Sequence, residues 1–226
     1  MIDIIVINRN RLNFLEQCLK SIWENTKDYR LTLIDDYSDT SHLAFYLANR
    51  EKFHQIILNG QNFGSTYSMD SGLQLAFLNQ WFWNSDFIAF MEDDIVVPPN
   101  WSEICKEIIE KYEKDFKIGF IGWDAPEHNV WFNQFEYKGY NVKIKSIARS
   151  SFLFARTDHW KSIGLIPRLK EDGSERGKPD KGNGSERDHY LLTKTTNSNK
   201  NQGKFVACIS GFINHLGENE STWRIS

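Results

Sequence analysis

Three consecutive carboxylates, Glu92-Asp93-Asp94, follow the apolar segment 87–91 and are the residues of this chain best suited to chemistry. Two carboxylates about 4 Å apart repel each other by roughly 4 kcal/mol at an effective dielectric of 20. Protonation, solvent or a cation relieves that repulsion. Oxygen ligands beside a crevice suit Mg²⁺ or Mn²⁺ that also binds a diphosphate. The alternative is a solvated acidic turn that caps the helix predicted from position 98.

A second acidic cluster, Asp35-Asp36-Tyr37-Ser38-Asp39, follows the apolar segment 31–34. A carboxylate at the end of a strand can accept hydrogen bonds from a nucleobase imide or from ribose hydroxyls, and Asp36 is the candidate. Ser38 or Asp39 is suited to cap the next helix, and both roles can coexist.

A third segment, 62–72, contains Gly64 and Gly72. Gly64 permits a tight loop before a helix, and Gly72 leaves room on that helix for a neighbouring backbone or a ligand. Helix capping and helix–sheet packing explain the segment without any ligand.

Strand-like apolar segments alternate with helical patterns through the first 121 residues. Strands are predicted at 4–7, 31–34, 55–58, 87–91 and 118–121. Apolar residues at helical spacing predict helices over 12–23, 43–47, 69–81 and 98–112. This order predicts an α/β fold with a mostly parallel sheet covered by helices on both faces. Since the carboxyl ends of such strands share one edge, where ligands bind, both acidic clusters should face the same crevice.

The second half of the chain is less regular. Strands are predicted at 142–146, 152–154 and 205–213, and helices at 158–163 and 186–194. Residues 168–184 are rich in Gly, Lys, Arg, Asp and Pro, which indicates a mobile surface loop within one domain rather than a linker between two.

Composition is ordinary for a soluble globular protein: the 226 residues are 40% apolar and 14% aromatic, with a formal charge of -3. That charge argues against a global nucleic-acid or membrane-binding surface. No apolar run reaches the roughly 18 residues of a transmembrane helix, and no signal peptide is recognisable, so we expect a cytoplasmic protein. The three dispersed cysteines predict buried thiols. No GxGxxG follows the first strand, which disfavours a Rossmann dehydrogenase.

Seven segments, taken in order, resemble family 2 glycosyltransferases of the GT-A fold, and the resemblance covers nearly the whole chain. It is carried by the opening 5–21, a DDxSxD-like turn at 35–39, an NxGxxxAxNxG-like segment at 62–72, the acidic triplet in place of DxD, the segment 150–164, an EDxxLxxR-like segment at 187–194, and an HxG-like element at 215–217. Two departures stand out, since Arg187 replaces the acid before the base and Lys194 replaces arginine.

The resemblance implies an inverting, metal-dependent transfer of a sugar from a nucleotide-diphospho-sugar to a hydroxyl acceptor, such as a glycan, a lipid-linked sugar, a protein or a modified nucleic acid. It implies a nucleotide-sugar half over 1–123 and an acceptor and catalytic half over 124–226. The implied donor-binding residues are Asn8, Asn10, Asp36, Asn62, Gly64, Asp70 and Asp93. The implied ligands of Mn²⁺ or Mg²⁺ are Asp94, Glu92 and His215.

The same resemblance makes Asp188 the general base, with nearby Glu186 as its competitor. Asp188 is otherwise explained as an exposed helical acid, and His215 as a capping or packing histidine. Two other functions stay open at this point. A sugar nucleotidyltransferase has a similar acidic metal site but needs a Gly-rich loop after the first strand, where this chain has Asn8-Arg9-Asn10-Arg11. A non-catalytic module that binds nucleotide sugars or glycans is the second.

Overall fold

The computed structural model describes residues 1–79, 84–125, 131–146, 148–165, 191, 194 and 203–217. Its helices are α1 (Leu12–Asn25), α2 (Ser41–Ala48), α3 (Ser65–Asn79), α4 (Trp101–Phe116) and α5 (Thr157–Ile163). Its first strands are β1 (Ile2–Asn8), β2 (Tyr29–Asp35), β3 (Gln55–Leu58), β4 (Phe87–Glu92), β5 (Ile95–Val96) and β6 (Ile118–Trp123). The later strands are β7 (Asn133–Tyr137), β8 (Tyr140–Lys145), β9 (Arg149–Arg156), β10 (Phe205–Ile209) and β11 (Asn214–His215).

Within the described ranges, nine strands form one sheet in the order β3-β2-β1-β4-β9-β6-β10-β8-β7. Only β9 and β8 run against the other seven strands, because their pairings with β4, β6, β10 and β7 are antiparallel. The predicted α/β class with a mostly parallel sheet is therefore confirmed. The sequence did not predict that β9, from the second half of the chain, lies between β4 and β6.

Helices cover both faces of the sheet, as the continuous apolar strands predicted. In β1, Ile2, Ile4 and Val6 belong to the core beneath α1 and α4, whereas Ile5 and Ile7 belong to the core beneath α3 and α5. All seven residues of β1 are buried. The three cysteines are buried free thiols, as predicted. Among the described residues, no helix combines the length and the apolar character that crossing a bilayer requires.

Several local predictions needed correction. The late strand ends at Ile209 rather than continuing to 213, because the chain turns at Gly211, whose φ is 66°. Strand β7 was not predicted, although Phe135 and Tyr137 alternate with polar residues, since it is only five residues long and mostly exposed. It joins β8 through a tight turn in which Lys138 and Gly139 both have positive φ. The predicted loop at 168–184 lies outside the described residues.

Candidate metal and donor site

Asn8 and the two predicted acidic clusters lie at the carboxyl ends of three adjacent parallel strands, β2, β1 and β4. In the sheet register, Asn8 of β1 pairs with Asp35 of β2, and Ile7 pairs with Glu92 of β4. Neighbouring strands lie about 4.8 Å apart, so β1 separates the two acidic clusters by roughly 10 Å. The structure therefore brings both clusters to one edge of the sheet, as the strand order predicted.

Glu92, Asp94 and His215 form a group in which one ligand atom from each residue lies within 4.8 Å of the others. His215 reaches the group because β11 pairs with β5, immediately after the acidic triplet, with His215 opposite Ile95. The backbone N–H of Leu216 also donates to the Asp94 carbonyl at 2.8 Å. These contacts hold the late segment against residues about 120 positions earlier in the chain.

The His215 ring is oriented by Trp123, the last residue of β6. The two rings stack with centroids 4.4 Å apart and planes 14° from parallel. His215 Nε2 lies 3.5 Å from Asp94 Oδ1, a buried oxygen that has no hydrogen-bond partner among the described residues. An oxygen–oxygen–nitrogen donor set with an unpartnered buried carboxylate oxygen fits a divalent ion such as Mn²⁺ or Mg²⁺.

The residue that the sequence analysis missed in this cluster is Arg11, which is only 5% exposed. Its Nη2 and Nε donate to the two oxygens of Asp93, and its Nη1 donates to Asp94 Oδ2 at 2.6 Å. Arg11 lies in the segment 8–11, just after β1, and β1 pairs with β4. That position was the feature of the sequence that could have predicted its proximity to the acidic triplet. Asp93 also accepts the backbone N–H of Arg9, at 3.3 Å.

Burial dominates the electrostatics of the acidic triplet. It raises the pKa of Asp93, with a further contribution from Asp94, against the lowering effect of the Arg11 guanidinium. Burial and the neighbouring Glu92 likewise raise the pKa of Asp94, opposed by Arg11 and His215. Closely spaced buried carboxylates disfavour their own charged forms, and a bound cation removes that penalty.

The cluster at the end of β2 is organised by hydrogen bonds to both of its aspartates. Asp35 accepts bonds from Asn8 Nδ2 at 3.1 Å, from the Ser38 backbone N–H at 2.8 Å and from the Tyr46 hydroxyl. Asn8 also donates to Ser38 Oγ and to the Tyr46 hydroxyl, while its own Oδ1 is buried and has no partner in residues 1–79 or in the other described ranges. Asn8 is fully buried, so its contacts order the turn that follows β2.

Asp36 connects this turn to the loop before α3. It accepts the backbone N–H groups of Phe63 and Gly64, at 2.9 and 2.8 Å, and Nδ2 of Asn59 at 2.9 Å. Gly64 has φ 88°, a conformation that favours glycine, and it donates to Asn62 Oδ1 as well. The Asp36 carboxylate therefore already supports the loop at 62–64.

The remaining predicted positions fall into three groups. Asn10 is exposed, and its amide oxygen accepts the Asp39 N–H at 3.0 Å. Asp39 in turn accepts the N–H of Ser41, the first residue of α2, at 3.0 Å, whereas the N-cap residue of that helix is Thr40. Asp70 is half-buried on α3. Asp188 and Glu186, the candidates for the general base, lie outside the described residues.

Comparison of the sequence with known families gives a match to the model described as glycosyl transferase family 2, over residues 3–164. The match includes the acidic triplet, Arg11 and the residues predicted to bind the donor, and it ends before Asp188 and His215. Among curated proteins no match is found.

The fold is similar to three solved structures. One is S. aureus TarS, at 13% identity and TM-score 0.56, over 92% of this chain and 35% of that one. A second is GalNAc-T7 with UDP, GalNAc and Mn²⁺, at 15% identity and TM-score 0.58, over 92% and 42%. The third is the mannosyltransferase PcManGT from Pyrobaculum calidifontis in complex with GDP-Man and Mn²⁺, at 12% identity and TM-score 0.51, over 76% and 49%. This chain thus spans less than half the length of each.

Proposed function

Because the chain belongs to glycosyl transferase family 2, we propose that it transfers a sugar from a nucleotide-diphospho-sugar to a hydroxyl acceptor, with a divalent cation bound by Glu92, Asp94 and His215. The observation that carries the proposal is the convergence of these three ligand atoms within 4.8 Å of one another at the carboxyl edge of the sheet. The Mn²⁺ complexes of GalNAc-T7 and PcManGT, which share the fold, support this choice of ion.

A bound Mn²⁺ or Mg²⁺ would stabilise the negative charge that develops on the diphosphate leaving group. Glu92 and Asp94 would supply oxygen ligands, and His215 a ring nitrogen in its neutral form. The Trp123 ring restricts rotation of His215, so less freedom is lost when that nitrogen binds. The buried surroundings strengthen each of these electrostatic contacts relative to water.

The donor nucleoside is proposed to lie over the ends of β1 and β2 and the loop before α3. The residues assigned to donor binding are Asn8, Asn10, Asp36, Asn62, Gly64, Asp70 and Asp93. The contacts described above divide them by role. Asn8, Asp36 and Asp93 shape the surface through hydrogen bonds within the protein, whereas exposed Asn10 and partly exposed Asn62 offer polar atoms to a ligand.

The acceptor hydroxyl must lose a proton as it attacks the sugar, and Asp188 is proposed as the general base that takes it, with Glu186 as its competitor. A base on the side of the sugar opposite the leaving group gives in-line displacement and inverts the anomeric carbon. Residues 1–123 would then bind the donor, and residues 124–226 would supply the base and the acceptor surface. A glycan, a lipid-linked sugar, a protein or a modified nucleic acid would each provide the hydroxyl.

The metal role is tested by calorimetric titration of UDP and GDP in the presence and absence of Mn²⁺. We expect Mn²⁺ to strengthen binding of one nucleotide to the wild type, and Asp94→Asn to lose that gain by tenfold or more, since the variant removes one charged ligand. Glu107→Gln is the control, because Glu107 lies on α4 and contacts Tyr137 and Lys138 instead. Full Mn²⁺-dependent binding in a folded Asp94→Asn variant would disprove the ligand role.

The base assignment is tested by comparing Asp188→Asn with Glu186→Gln. If Asp188 is the base, its variant keeps nucleotide affinity and loses about 10²–10⁴-fold in turnover, while the Glu186 variant keeps both. The opposite pattern would transfer the role to Glu186. Retained turnover in both variants would remove both residues from catalysis.

A further inference from the structure

We propose that Arg11 is a positioning residue that orients Asp94 for metal binding, so that the outer acids of the triplet bind the ion and the middle acid anchors Arg11. The inference rests on the proposed metal role of Glu92, Asp94 and His215. It assigns different tasks to three adjacent carboxylates that look equivalent in the sequence.

The two oxygens of Asp94 have different surroundings. Oδ2 accepts Arg11 Nη1 at 2.6 Å and is covered by the backbone of Gly217, where a Cβ atom would lie only 2.4 Å away. Oδ1 faces His215 Nε2 at 3.5 Å and accepts no hydrogen bond from the part of the chain that the structure describes. Arg11 therefore holds one oxygen and leaves the other directed at the remaining ligands, as outer-shell partners of metal ligands do.

Asp93 is the anchor of Arg11 rather than a third ligand. Both of its oxygens accept guanidinium N–H groups, and one of them also accepts the Arg9 N–H. A planar guanidinium can bond Asp93 with two N–H groups and still reach Asp94 with a third, which a lysine ammonium cannot do with the same rigidity. This fork fixes the spacing between the two carboxylates.

Backbone hydrogen bonds fix the position of the Arg11 Cα atom, from which the side chain extends. The carbonyl of Arg11 accepts the N–H groups of Phe14 and Leu15, at 3.0 and 2.9 Å, in the first turn of α1. Because α1 is packed on the sheet through buried Leu15 and Leu19, Arg11 enters the acidic cluster from a rigid element.

The net charge of the acidic triplet together with Arg11 is suited to a divalent ion. The carboxylates of Glu92, Asp93 and Asp94 carry -3 when ionised, and the guanidinium reduces this to -2, which matches one divalent ion. A different role for Arg11 would be to occupy the metal position itself. Its contact with Asp94 argues against that, since Arg11 uses Oδ2 and, within the described residues, Oδ1 accepts no hydrogen bond.

The test is a titration of Mn²⁺ followed by electron paramagnetic resonance, without nucleotide, on wild type, Arg11→Gln, Arg11→Lys and Arg30→Gln. Arg30 is the matched control: it is buried and forms a comparable fork on Asp3, at 2.6 and 2.7 Å, near the opposite end of β1. Circular dichroism and thermal melting show which variants fold, and Arg11→Lys gives a second variant that keeps the charge.

We expect Arg11→Gln to weaken Mn²⁺ binding by about 10–100-fold, the usual effect of removing an outer-shell partner. Removal of a nearby positive charge would by itself strengthen Mn²⁺ binding, so the two explanations predict opposite signs. Arg11→Lys should remain weaker than wild type because it keeps the charge without the fork. Arg30→Gln should lose stability and keep the wild-type affinity for Mn²⁺.

Unchanged or tighter Mn²⁺ binding in folded Arg11 variants would overturn the positioning role while leaving the metal site intact. Weakened binding in Arg30→Gln to the same extent would reduce the Arg11 effect to general destabilisation and overturn the role as well. Absence of Mn²⁺ binding in the wild type would overturn the proposed metal site together with this inference.

Discussion

Gly217 is the position where the smallest change should disturb the proposed metal site most directly. A Cβ atom at this position would lie 2.4 Å from Asp94 Oδ2 and 3.0 Å from Arg11 Nη1. Non-bonded carbon and oxygen atoms are normally at least about 3.3 Å apart. In Gly217→Ala the backbone or the Asp94 carboxylate must therefore move by about 0.9 Å. Metal–ligand distances tolerate only about 0.2 Å.

From this geometry we expect Gly217→Ala to reduce Mn²⁺ affinity by about 10–100-fold, comparable with the loss of an outer-shell contact. Crowding of a buried site should also lower the free energy of unfolding by about 1–3 kcal/mol. Both quantities are measured on the same sample, Mn²⁺ binding by electron paramagnetic resonance and stability by urea unfolding without metal.

Gly60→Ala is the control for an added methyl group, since no heavy atom of the described residues lies within 4 Å of its Cβ position. It should change neither measurement appreciably. A folded Gly217→Ala protein that binds Mn²⁺ within twofold of wild type would refute the reasoning, because it would mean that the position of Asp94 is irrelevant to the ion.

Three further outcomes are expected. Gly72→Ala should destabilise the protein by about 1–3 kcal/mol, because its Cβ would lie 2.4 Å from Ile5 Cγ2. In urea unfolding the same substitution should cost less when it is made in an Ile5→Ala protein, which is itself destabilised by the cavity but no longer has the clashing methyl group. Asp3→Ala should cost about 3–5 kcal/mol, since it leaves the buried Arg30 guanidinium without its carboxylate, while Mn²⁺ affinity stays unchanged. Burial, with a smaller effect of Lys204, lowers the pKa of His159 to about 3. As the pH falls below about 6.5, His159 therefore becomes protonated in the unfolded chain but stays neutral in the folded one. The free energy of unfolding should drop by about 1.4 kcal/mol between pH 7.5 and 5.5. His159→Phe should lack that part of the pH dependence, and an identical slope in both proteins would contradict the assignment.

Local sequence patterns predict the secondary structure of the first half of the chain better than that of the second half. Strands β1 to β4 and the helices between them are predicted directly from apolar runs and helical spacing, because each of these elements carries the apolar residues that it buries. Strand β7 escaped prediction because its residues are mostly exposed and its pairing partner, β8, decides its conformation. The antiparallel insertion of β9 between β4 and β6 has no local signature.

The acids at the ends of β2 and β4 were predicted to share an edge, and the register of β1 with both neighbours accounts for it. The roles of those acids were not separable from the sequence. Asp36 supports the loop at 62–64, and Asp93 anchors Arg11. Both roles arise because hydrogen-bond donors from distant segments already occupy these carboxylates.

The sequence alone determined the alternation of elements, the burial of the cysteines and the edge of the sheet at which carboxylates would collect, since these depend on periodicity and strand direction. Tertiary structure decided which side chains meet there: the pairing of β11 with β5 brings His215 to Asp94, and the start of α1 places Arg11 between Asp93 and Asp94. Contacts between residues about 80 and 120 positions apart depend on how the whole chain packs, and neighbouring residues in the sequence carry little information about them.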